Sequence, residues 1–414
     1  MKRTLISCIM VVSRLPLAHA KGDQHLSYYR LQKLAKIYSN VVLIWFKPLL
    51  FDRPTSNIRY FDLPHNVFLV RVDQSLVDLL HGMLRFIACK EGSFQASLHY
   101  SSRLTRAILS HCANSSTHIH FVTLRVYRRI TRSAEKFITV DLIDSLSLNL
   151  KRSALKGNFL SRIFFGFESR KVLQLERAIA SEVDKCFVVS EIDKESIGCT
   201  NINVVPLGVD LTRFKPQNSF KNDSLEIPNV SNTPLNVGFF GNLSYRPNIQ
   251  AIEWFINECM DLVPPLSYGY KLKIAGRNPP SSLINKYANL QGLLIVGQVE
   301  SMVDFITSLD IIIAPMVSGS GMQNKILEGM ACGIPVLTTS IGKGDIRAID
   351  GHHFLVCDAP TEFARSLQIL LASPELRKQL GVAGNHFVYR HHSWERVSDL
   401  FVTKCFHGSM HQNA

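Results

Sequence analysis

The densest group of residues suited to chemistry follows an apolar run at positions 311–314. A Gly-Ser-Gly turn at 319–321 leads there into a helical pattern that contains Lys325 and Glu328. Such a turn leaves backbone N–H groups and the positive end of the helix dipole free to bind a phosphate. Lys325 would add a positive charge beside a diphosphate, and Glu328 could accept hydrogen bonds from a ribose diol. The pattern fits equally a plain N-cap with an exposed Lys–Glu pair.

Two other groups of residues could bind a ligand. Gly22 directly precedes a helical pattern, where a glycine lets the backbone approach a substrate closely, although a plain turn would have the same sequence. His118 and His120 alternate along an apolar run, and with His111 and Cys112 they could suggest a metal site. Alternation on a strand places both histidines on one face without any ligand, however, and zinc-like spacing is not evident. The sequence therefore predicts no metal site.

Both halves of the chain alternate apolar, β-rich runs with helical patterns, which is typical of βαβ units around a parallel sheet. The predicted strands of the first half lie at 4–12, 41–46, 67–70, 118–122, 137–142 and 186–189. Those of the second half lie at 235–240, 270–274, 293–296, 311–314 and 336–338. Helices are predicted over 153–183, 249–260 and 324–330. We therefore expect an α/β protein with two doubly wound sheets.

Length and composition set the expected number of domains. The chain has 414 residues, 46% of them hydrophobic, which is too long for a single core and unlike a disordered chain. The stretch from 206 to 234 is rich in Pro, Asn and Ser, so the boundary is predicted there. The predicted divisions are a domain at 1–205, a linker at 206–232, a domain at 233–385 and a terminal segment at 386–414. The nine cysteines are scattered without CxxC spacing, which favours a reducing cytoplasm.

The net charge of +13 lies entirely in the first half of the chain. Residues 1–205 carry 29 basic and 16 acidic side chains, whereas the remainder carries 17 of each. A positive charge confined to one domain indicates an anionic partner for that domain, such as a phosphorylated substrate or the inner leaflet of a membrane. The alternative is a basic surface that only aids solubility. Nucleic acid is disfavoured because no helix-turn-helix, zinc finger or RNA-binding aromatic motif accompanies the arginines.

The first twenty residues imitate a secretory signal. Lys2 and Arg3 precede an apolar run over 5–12, and Ala-His-Ala follows at 18–20. Polar residues, among them Arg14, interrupt the apolar run, so we interpret it as the first buried strand of a parallel sheet, with a signal peptide as the alternative. The sequence contains no stretch of 18 consecutive apolar residues and so predicts no transmembrane helix.

Several segments resemble GT-B glycosyltransferases of family 4. Those that resemble the donor-nucleotide domain are FFGNLSYRPNIQAIEWF from 239, AGRNPP from 275, GQVESMVDFITSLDIIIAPM from 297 and GSGMQNKILEGMACGIPVLTT from 319. Those similar to the acceptor domain are KGDQHLSYYRLQKLA from 21, VDLIDSLSLN from 140, VVSEIDKESI from 188 and NVVPLGVDLTRFKP from 203. The nearest subgroup is the sugar transferases of bacterial exopolysaccharide and capsule clusters. The resemblance implies two Rossmann-like domains facing a cleft, with the terminal segment returning to the first domain as a helix.

The resemblance also implies roles for the matching positions. In the family, two glutamates separated by seven residues contact the donor sugar and the ribose; here the second is Glu328, but Ser320 stands at the first position. The stretch that should supply an arginine and a lysine for the diphosphate holds only Arg246, so we expect Lys325 and Arg246 to form the cationic pair. The predicted donor-binding residues are Gly241, Asn242, Arg246, Arg277, Val299, Gly319, Ser320, Gly321, Lys325 and Glu328, with Val299 beside the base.

The family mechanism, carried over, has an acceptor hydroxyl attack the anomeric carbon while the nucleoside diphosphate leaves from the same face, with retention. The helix N-terminus and Lys325 would stabilise the leaving diphosphate without a metal, and no D-x-D motif occurs. Asp141 and Asp144, at a strand end facing the cleft in this interpretation, would orient the acceptor or stabilise positive charge on the sugar; a helix N-cap or loop carboxylate is the alternative. These two and Lys325 are the predicted catalytic residues, and Gly22 is the predicted acceptor contact.

The features together predict a cytoplasmic glycosyltransferase. It would move a sugar from a nucleotide-sugar co-substrate, without another cofactor, to a glycan or lipid-linked glycan, with the basic first domain in peripheral contact with the inner face of the cell membrane. The alternatives are a GT-B sugar-nucleotide epimerase and a degenerate nucleotide-sugar binder, for which Ser320 is the argument. A dinucleotide-dependent dehydrogenase is disfavoured because no G-x-G-x-x-G follows the first strand.

Overall fold

The chain forms two compact units, each with its own parallel sheet. The computed structural model describes residues 7–18, 22–50, 63–88, 93–112, 116–156, 159–216, 234–263, 269–319 and 322–406. The first unit comprises residues 1–206 and 398–414, and the second comprises residues 207–397. The predicted α/β class with two doubly wound sheets is confirmed.

A seven-stranded parallel sheet forms the centre of the first unit. Its strands are β1 (Ser7–Val12), β2 (Asn40–Lys47), β3 (Val67–Asp73), β4 (Thr117–Val122), β5 (Lys136–Ile143), β6 (Lys185–Val188) and β7 (Ile202–Val204). Its helices are α1 (Asp23–Ile37), α2 (Leu76–Ile87), α3 (Phe94–Leu98), α4 (Ser102–His111), α5 (Leu146–Lys156), α6 (Phe159–Glu182) and α7 (Glu191–Ile197). The strand order is β3-β2-β1-β4-β5-β6-β7, so the direction of winding reverses between β1 and β4.

The second unit repeats this plan with a six-stranded parallel sheet in the order β10-β9-β8-β11-β12-β13. Its strands are β8 (Leu235–Phe240), β9 (Tyr270–Ala275), β10 (Leu293–Gly297), β11 (Ile311–Ala314), β12 (Val336–Thr338) and β13 (Leu355–Val356). Its helices are α8 (Arg246–Trp254), α9 (Ser281–Tyr287), α10 (Met302–Thr307), α11 (Asn324–Ala331), α12 (Ser340–Lys343), α13 (Pro360–Ala372) and α14 (Pro374–His391). The winding reverses between β8 and β11, and a further helix, α15 (Trp394–Phe406), follows α14.

The apolar run near the start of the chain is a central strand. β1 pairs in parallel with β2 on one side and with β4 on the other, and its residues from Cys8 to Val12 are buried. Near-continuous apolar sequence is what a strand covered by helices on both faces requires. Residues 7–12 therefore form a strand, as interpreted from the sequence, whereas residues 1–6 and 19–20 lie outside the described part.

Most differences from the predicted elements lie at helix ends. The helix predicted over 153–183 is two helices, α5 and α6, and residues 157–158 between them lie outside the described part. Helix α8 begins earlier than predicted, at Arg246, and continues through a π-helical turn at Phe255–Cys259 and a 3-10 turn at Met260–Leu262. The short strands β7 and β13 were not predicted because three and two residues make no detectable pattern.

The predicted linker is described only in its first part. Residues 207–216 belong to the second unit, where Val209 and Phe214 are buried in its core. Residues 217–233 lie outside the described part of the chain. Among the helices that the structure describes, none has both the length and the apolar character needed to cross a membrane.

Two glycines lie inside helices of the first unit but have opposite surroundings, which gives a test of the packing of α2 on α3. A Cβ on Gly82 in α2 would lie 2.1 Å from the carbonyl oxygen of Ser97, whereas a Cβ on Gly166 in α6 would meet nothing within 4 Å. We expect Gly82→Ala to lower the free energy of unfolding by about 1–3 kcal/mol, because the two helices must move apart. Gly166→Ala should raise it by up to about 1 kcal/mol through helix propensity. Urea denaturation measures both, and equal effects of the two substitutions would contradict this packing.

Candidate functional site

Two helix N-termini meet the same edge of the second sheet. β8 and β11 are adjacent parallel strands, and α8 and α11 begin after their carboxyl ends. The N-cap residues Tyr245 and Gln323 supply no side-chain cap to these helices within the described chain. Both helices begin at the point where the winding reverses, which is where ligands bind in open α/β sheets. An anion at this edge would meet the positive ends of two helices.

Lys325 connects the two helices. Its side chain is buried, and its Nζ donates a hydrogen bond of 2.6 Å to Oδ1 of Asn248 in the first turn of α8. The same nitrogen lies 4.2 Å from the centre of the Phe239 ring. Asn248 in turn donates from Nδ2 to the carbonyl oxygen of Asn242 at 2.9 Å. The ammonium group is thus fixed beside the loop that follows β8, where the sequence predicted a diphosphate.

Glycines allow backbone segments to approach each other closely at this edge. A Cβ on Gly276 would lie 1.7 Å from the carbonyl oxygen of Gly241, and a Cβ on Gly241 would lie 2.8 Å from Nδ2 of Asn248. Gly319, in the turn after β11, has a φ of 129°, a conformation that side-chain-bearing residues rarely adopt. A Cβ there would be 3.7 Å from Cβ of Pro247 in α8, so the turn after β11 lies next to the start of α8.

The remaining predicted donor residues lie around this edge with different exposure. Arg246 begins α8 and Arg277 follows β9; both are exposed, and neither guanidinium has a hydrogen bond or ion pair with any residue that the structure describes. Glu328 lies one turn after Lys325 on α11 and is half-buried. Val299 is half-buried against the core of the unit. Ser320 and Gly321 lie outside the described residues, so their predicted contacts stay predictions.

Sequence reasoning missed Asn248, which holds Lys325 in place. Its partner is 77 positions away in the chain, so no local spacing links the two residues. The available signal was an amide side chain in the first turn of a helix that follows a buried strand, as Lys325 lies in the first turn of α11.

The first unit has strained backbone at the matching edge of its sheet. Thr123 directly follows β4 with a φ of 73°, and Ile143 ends β5 with a φ of 69°. Both residues are β-branched, and left-handed conformations of such residues cost on the order of 1–3 kcal/mol each. The pairing of β5 with β6 shifts register between Asp141 and Ile143, so a bulge accompanies the strain. Strain of this kind concentrates at binding and catalytic sites.

Asp144 directly follows the strained Ile143 and is half-buried. Its carboxylate has no hydrogen bond or ion pair with the residues described, and burial is the largest cause that raises its pKa to about 6, with contributions from the carboxylates of Asp193, Asp141 and Asp23. The alternative role of helix cap is taken by Ser145, whose Oγ accepts the backbone N–H three residues on at 3.2 Å. A carboxyl group with this pKa can exchange a proton near neutral pH.

Asp141 has a different environment from Asp144. It is 1% exposed, and its Oδ2 accepts a hydrogen bond from Nε of Arg30 at 3.2 Å. Its other oxygen accepts the backbone N–H of Ile143 at 3.2 Å. The carboxylate is therefore enclosed in the first unit, where it holds the left-handed Ile143 in place and has almost no surface for a ligand to contact. A direct role for Asp141 in orienting an acceptor stays a prediction that this geometry does not favour.

Two arginines that the sequence analysis did not select interact with the charge of Asp23, one of the carboxylates that raise the pKa of Asp144. Arg14 pairs with Asp23 at 3.1 Å, directly after Gly22. Arg125, shortly after β4, is half-buried, and its guanidinium has no hydrogen bond or ion pair with the residues described; burial and the charge of Arg14 lower its pKa, whereas Asp23 raises it. Gly22 has a φ of 69°, and a Cβ there would meet nothing within 4 Å. Charged residues just after buried strands were the signal that could have found both arginines.

The two buried histidines form part of the interior. His118 and His120 both hydrogen-bond to Oγ1 of Thr139, at 2.7 and 2.8 Å, and His118 also bonds to the hydroxyl of Tyr38 at 2.9 Å. Burial lowers the pKa of both rings, that of His118 to about 3, so both are neutral at physiological pH. Within the described ranges, no group of three or more His, Cys, Asp or Glu side chains is placed to hold a metal ion.

The architecture defines the structural class of this protein. It is similar to sucrose-phosphate synthase from Thermosynechococcus elongatus, with a TM-score of 0.66 and 16% identity over 96% of this chain and 98% of that one. It is also similar to Anabaena Alr3699/HepE in complex with UDP and glucose, with a TM-score of 0.59 and 10% identity over 95% and 98% of the two chains. The chain therefore has the GT-B fold of two Rossmann-like domains, as the sequence predicted.

The second unit carries the family assignment. Residues 234–373 match the family model described as Glycosyl transferases group 1. This match covers most of the second unit and none of residues 1–206, and it includes the donor-domain segments that the sequence analysis compared with family 4. An uncharacterized 44.6 kDa protein in the cps region of Klebsiella pneumoniae is 26% identical over 221 residues, which cover 51% of this chain and 53% of the relative. A D-inositol 3-phosphate glycosyltransferase of Streptomyces bingchenggensis is 25% identical over 212 residues, 48% and 46% of the two chains. The chain thus spans about half the length of the curated relatives it matches.

The raised pKa of Asp144 predicts a specific dependence of stability on pH. Because the pKa of about 6 in the folded protein exceeds the ordinary value of 3.8, the folded protein keeps a proton that the unfolded chain has released. The free energy of unfolding therefore falls as pH rises from about 4 through about 6. Asp144→Asn removes the titrating group, so its free energy of unfolding should not fall in this way. Relative to the wild type, it should rise by on the order of 2 kcal/mol between about pH 4 and pH 6 and stay constant above that. Urea denaturation at a series of pH values measures the difference.

Glu135→Gln is the matched control for this prediction. Glu135 is an exposed acid in the same unit, and its side chain has no bond to the residues described. The free energy of unfolding of this control should change with pH as that of the wild type does. If the free energies of unfolding of Asp144→Asn and the wild type differ by the same amount at every pH from 4 to 7, the environment described for Asp144 is contradicted.

Proposed function

We propose that this protein transfers a sugar from a nucleotide-sugar donor to a glycan acceptor. The observation that carries the proposal is the pair of helix N-termini at the reversal point of the second sheet, with the buried Lys325 between them. In such a reaction the negative charge develops on the diphosphate that leaves the anomeric carbon. The positive ends of two helix dipoles and a fixed ammonium group at that position would stabilise the charge without reorganisation during the reaction.

The donor is a nucleotide sugar in this proposal. The family of the second unit supports it, as does the likeness to the Anabaena protein whose structure contains UDP and glucose. The diphosphate would lie against the first turns of α8 and α11 with Lys325 and Arg246 as cations, and Glu328 would accept hydrogen bonds from the ribose. The other proposed donor contacts are Gly241, Asn242, Arg277, Val299, Gly319, Ser320 and Gly321.

The acceptor belongs to the first unit in this proposal. Asp144, with a pKa of about 6, would orient the attacking hydroxyl or stabilise positive charge on the sugar, and Gly22 would contact the acceptor. The bond from the acceptor oxygen to the anomeric carbon forms while the bond from that carbon to the diphosphate oxygen breaks. We propose that both events occur on one face of the sugar, with retention of configuration, and that the cationic groups of the second unit replace a metal.

The acceptor class follows from two observations. The relative in the cps region of Klebsiella pneumoniae supports a polysaccharide pathway. The excess of basic residues in residues 1–205 supports an acceptor held at an anionic surface, as a lipid-linked glycan would be. We therefore propose that the enzyme acts on the cytoplasmic side of the cell membrane, in peripheral contact with it, during the synthesis of an exopolysaccharide or capsule.

Ligand-induced thermal stabilisation tests the donor side. UDP, GDP, ADP and their glucose conjugates are each added to the wild type, and one base should raise the melting temperature, because a ligand at a hundred times its Kd adds about 2.7 kcal/mol to the stability. Lys325→Met should abolish most of the shift. Lys286→Met is the matched control, since Lys286 lies in the same unit but is exposed and paired with Glu253 at 2.8 Å; it should keep the full shift.

Two results would overturn the proposal. A folded wild type that responds to none of the nucleotides would remove the donor site. A nucleotide-sugar shift without any release of nucleotide from the donor, with or without glycan acceptors, would identify a binding protein without transferase activity, the alternative for which Ser320 argues.

A further inference from the structure

Two helices of the first unit turn apolar stripes toward solvent. In α2, six large apolar side chains are between 41% and 73% exposed: Leu76, Val77, Leu80, Met83, Leu84 and Ile87. At the start of α6, five are between 43% and 75% exposed: Phe159, Leu160, Ile163, Phe164 and Phe167. Both sets recur at the three- and four-residue spacing of one helix face. Helices normally bury such a stripe, and an exposed one indicates an interaction surface.

The two stripes form one surface because α3 joins them. The ring of Phe94 in α3 lies 5.5 Å from that of Phe86 in α2 and 5.9 Å from that of Phe164 in α6, between ring centres. Glu168 of α6 accepts hydrogen bonds from the backbone N–H groups of Phe94 and Gln95 at 3.1 and 3.0 Å. These contacts fix the first part of α6 beside α2. We call the eleven exposed residues of the two stripes the α2–α6 face.

Among the described residues, the exposed charges on the helices that carry and flank the α2–α6 face have one sign. The acidic residues of α2, α3, α5 and the first fifteen residues of α6, all of them described, are Asp78 and Glu168. Both are buried, at 3% and 1% exposure, and both accept backbone N–H groups at helix starts, of Ser102 and Phe94 respectively. The exposed charged side chains on these elements are Arg85, Lys151, Arg162 and Arg170. An apolar stripe with exposed basic residues beside it is complementary to a surface that has an apolar interior and anionic groups at its boundary.

We propose that the α2–α6 face docks the first unit onto the anionic surface of a lipid bilayer. The aliphatic and aromatic side chains would enter the boundary between headgroups and acyl chains, while the arginines and the lysine would lie at the level of the lipid phosphates. A second copy of this chain is a poorer occupant because two such faces would bring their basic residues together. The biological role of this membrane contact rests on the proposed function, because the reactive end of a lipid-linked acceptor lies at the bilayer surface.

Co-sedimentation with vesicles tests the docking face. Full-length protein is mixed with vesicles of phosphatidylcholine alone or of equal parts phosphatidylcholine and phosphatidylglycerol. We expect the wild type to bind the anionic vesicles, to bind the neutral ones at least tenfold more weakly, and to lose affinity as salt is added. Leu84→Glu in α2 and Leu160→Glu in α6 should each weaken binding at least tenfold. Ile349→Glu is the matched control, because Ile349 is 61% exposed but lies in the second unit, and it should bind as the wild type does.

Other outcomes would overturn the proposal. The first is that the wild type does not bind anionic vesicles, and the second is that all three variants lose vesicle binding equally. The third is that the wild type is a dimer in solution and Leu84→Glu converts it to a monomer, which would make the face a protein interface. Nucleotide-induced thermal shifts, measured on the same variants, should equal that of the wild type and show that they are folded. Vesicle binding without any nucleotide shift would remove the proposed transferase function and leave the docking face standing, so the two failures are distinguishable.

Discussion

Parallel pairing of all strands is the constraint on which the rest of the molecule depends. Each parallel strand must be followed by a crossover, so every strand delivers its polar connecting segment to the same edge of its sheet. Where the winding reverses, between β1 and β4 and between β8 and β11, the helices on the two sides diverge and leave that edge accessible. Lys325, Asn248 and the strained Thr123 all follow strands next to a reversal. The proposed donor and acceptor residues therefore lie at the edges of the two sheets and not within their apolar cores.

Inside the first unit, one ion pair relates the elements that surround Asp144. Arg30 comes from α1, two turns after Gly22, and Asp141 from β5, three residues before Asp144. A buried pair of this kind adds little net stability over an apolar pair, because both charges lose their hydration, but removal of one partner is costly. Its role here is geometric. It fixes the start of α1 relative to the bulge at Ile143, and that bulge is what separates an enclosed Asp141 from a half-buried Asp144.

The sequence predicted those features that have a local signature. The bounds of β8, β11 and β12 agree with the predicted runs, because each is a short, mostly apolar segment that ends at turn-forming or polar residues. Lys325 was found because a glycine-rich turn and a helix start mark its position. The bulge at Ile143 was not predictable, since a β-branched residue favours an ordinary strand and only tertiary pairing imposes the left-handed conformation. The apolar stripe of α6 lies within the helical pattern predicted over 153–183, but periodicity does not tell which side of a helix faces the core.

The division of the chain into units also affects the order in which its parts can fold during synthesis. The first unit is discontinuous in sequence, since residues from Ser398 onward belong to it while residues 207–397 form the second unit. Phe401, whose ring lies 4.0 Å from the Arg30 guanidinium and 4.9 Å from the ring of Phe187, is contributed by this late segment. A nascent chain therefore leaves the ribosome with the Arg30–Asp141 pair uncovered, and the second unit can complete its core before the first one does. The half of the protein made first is the half that is finished last.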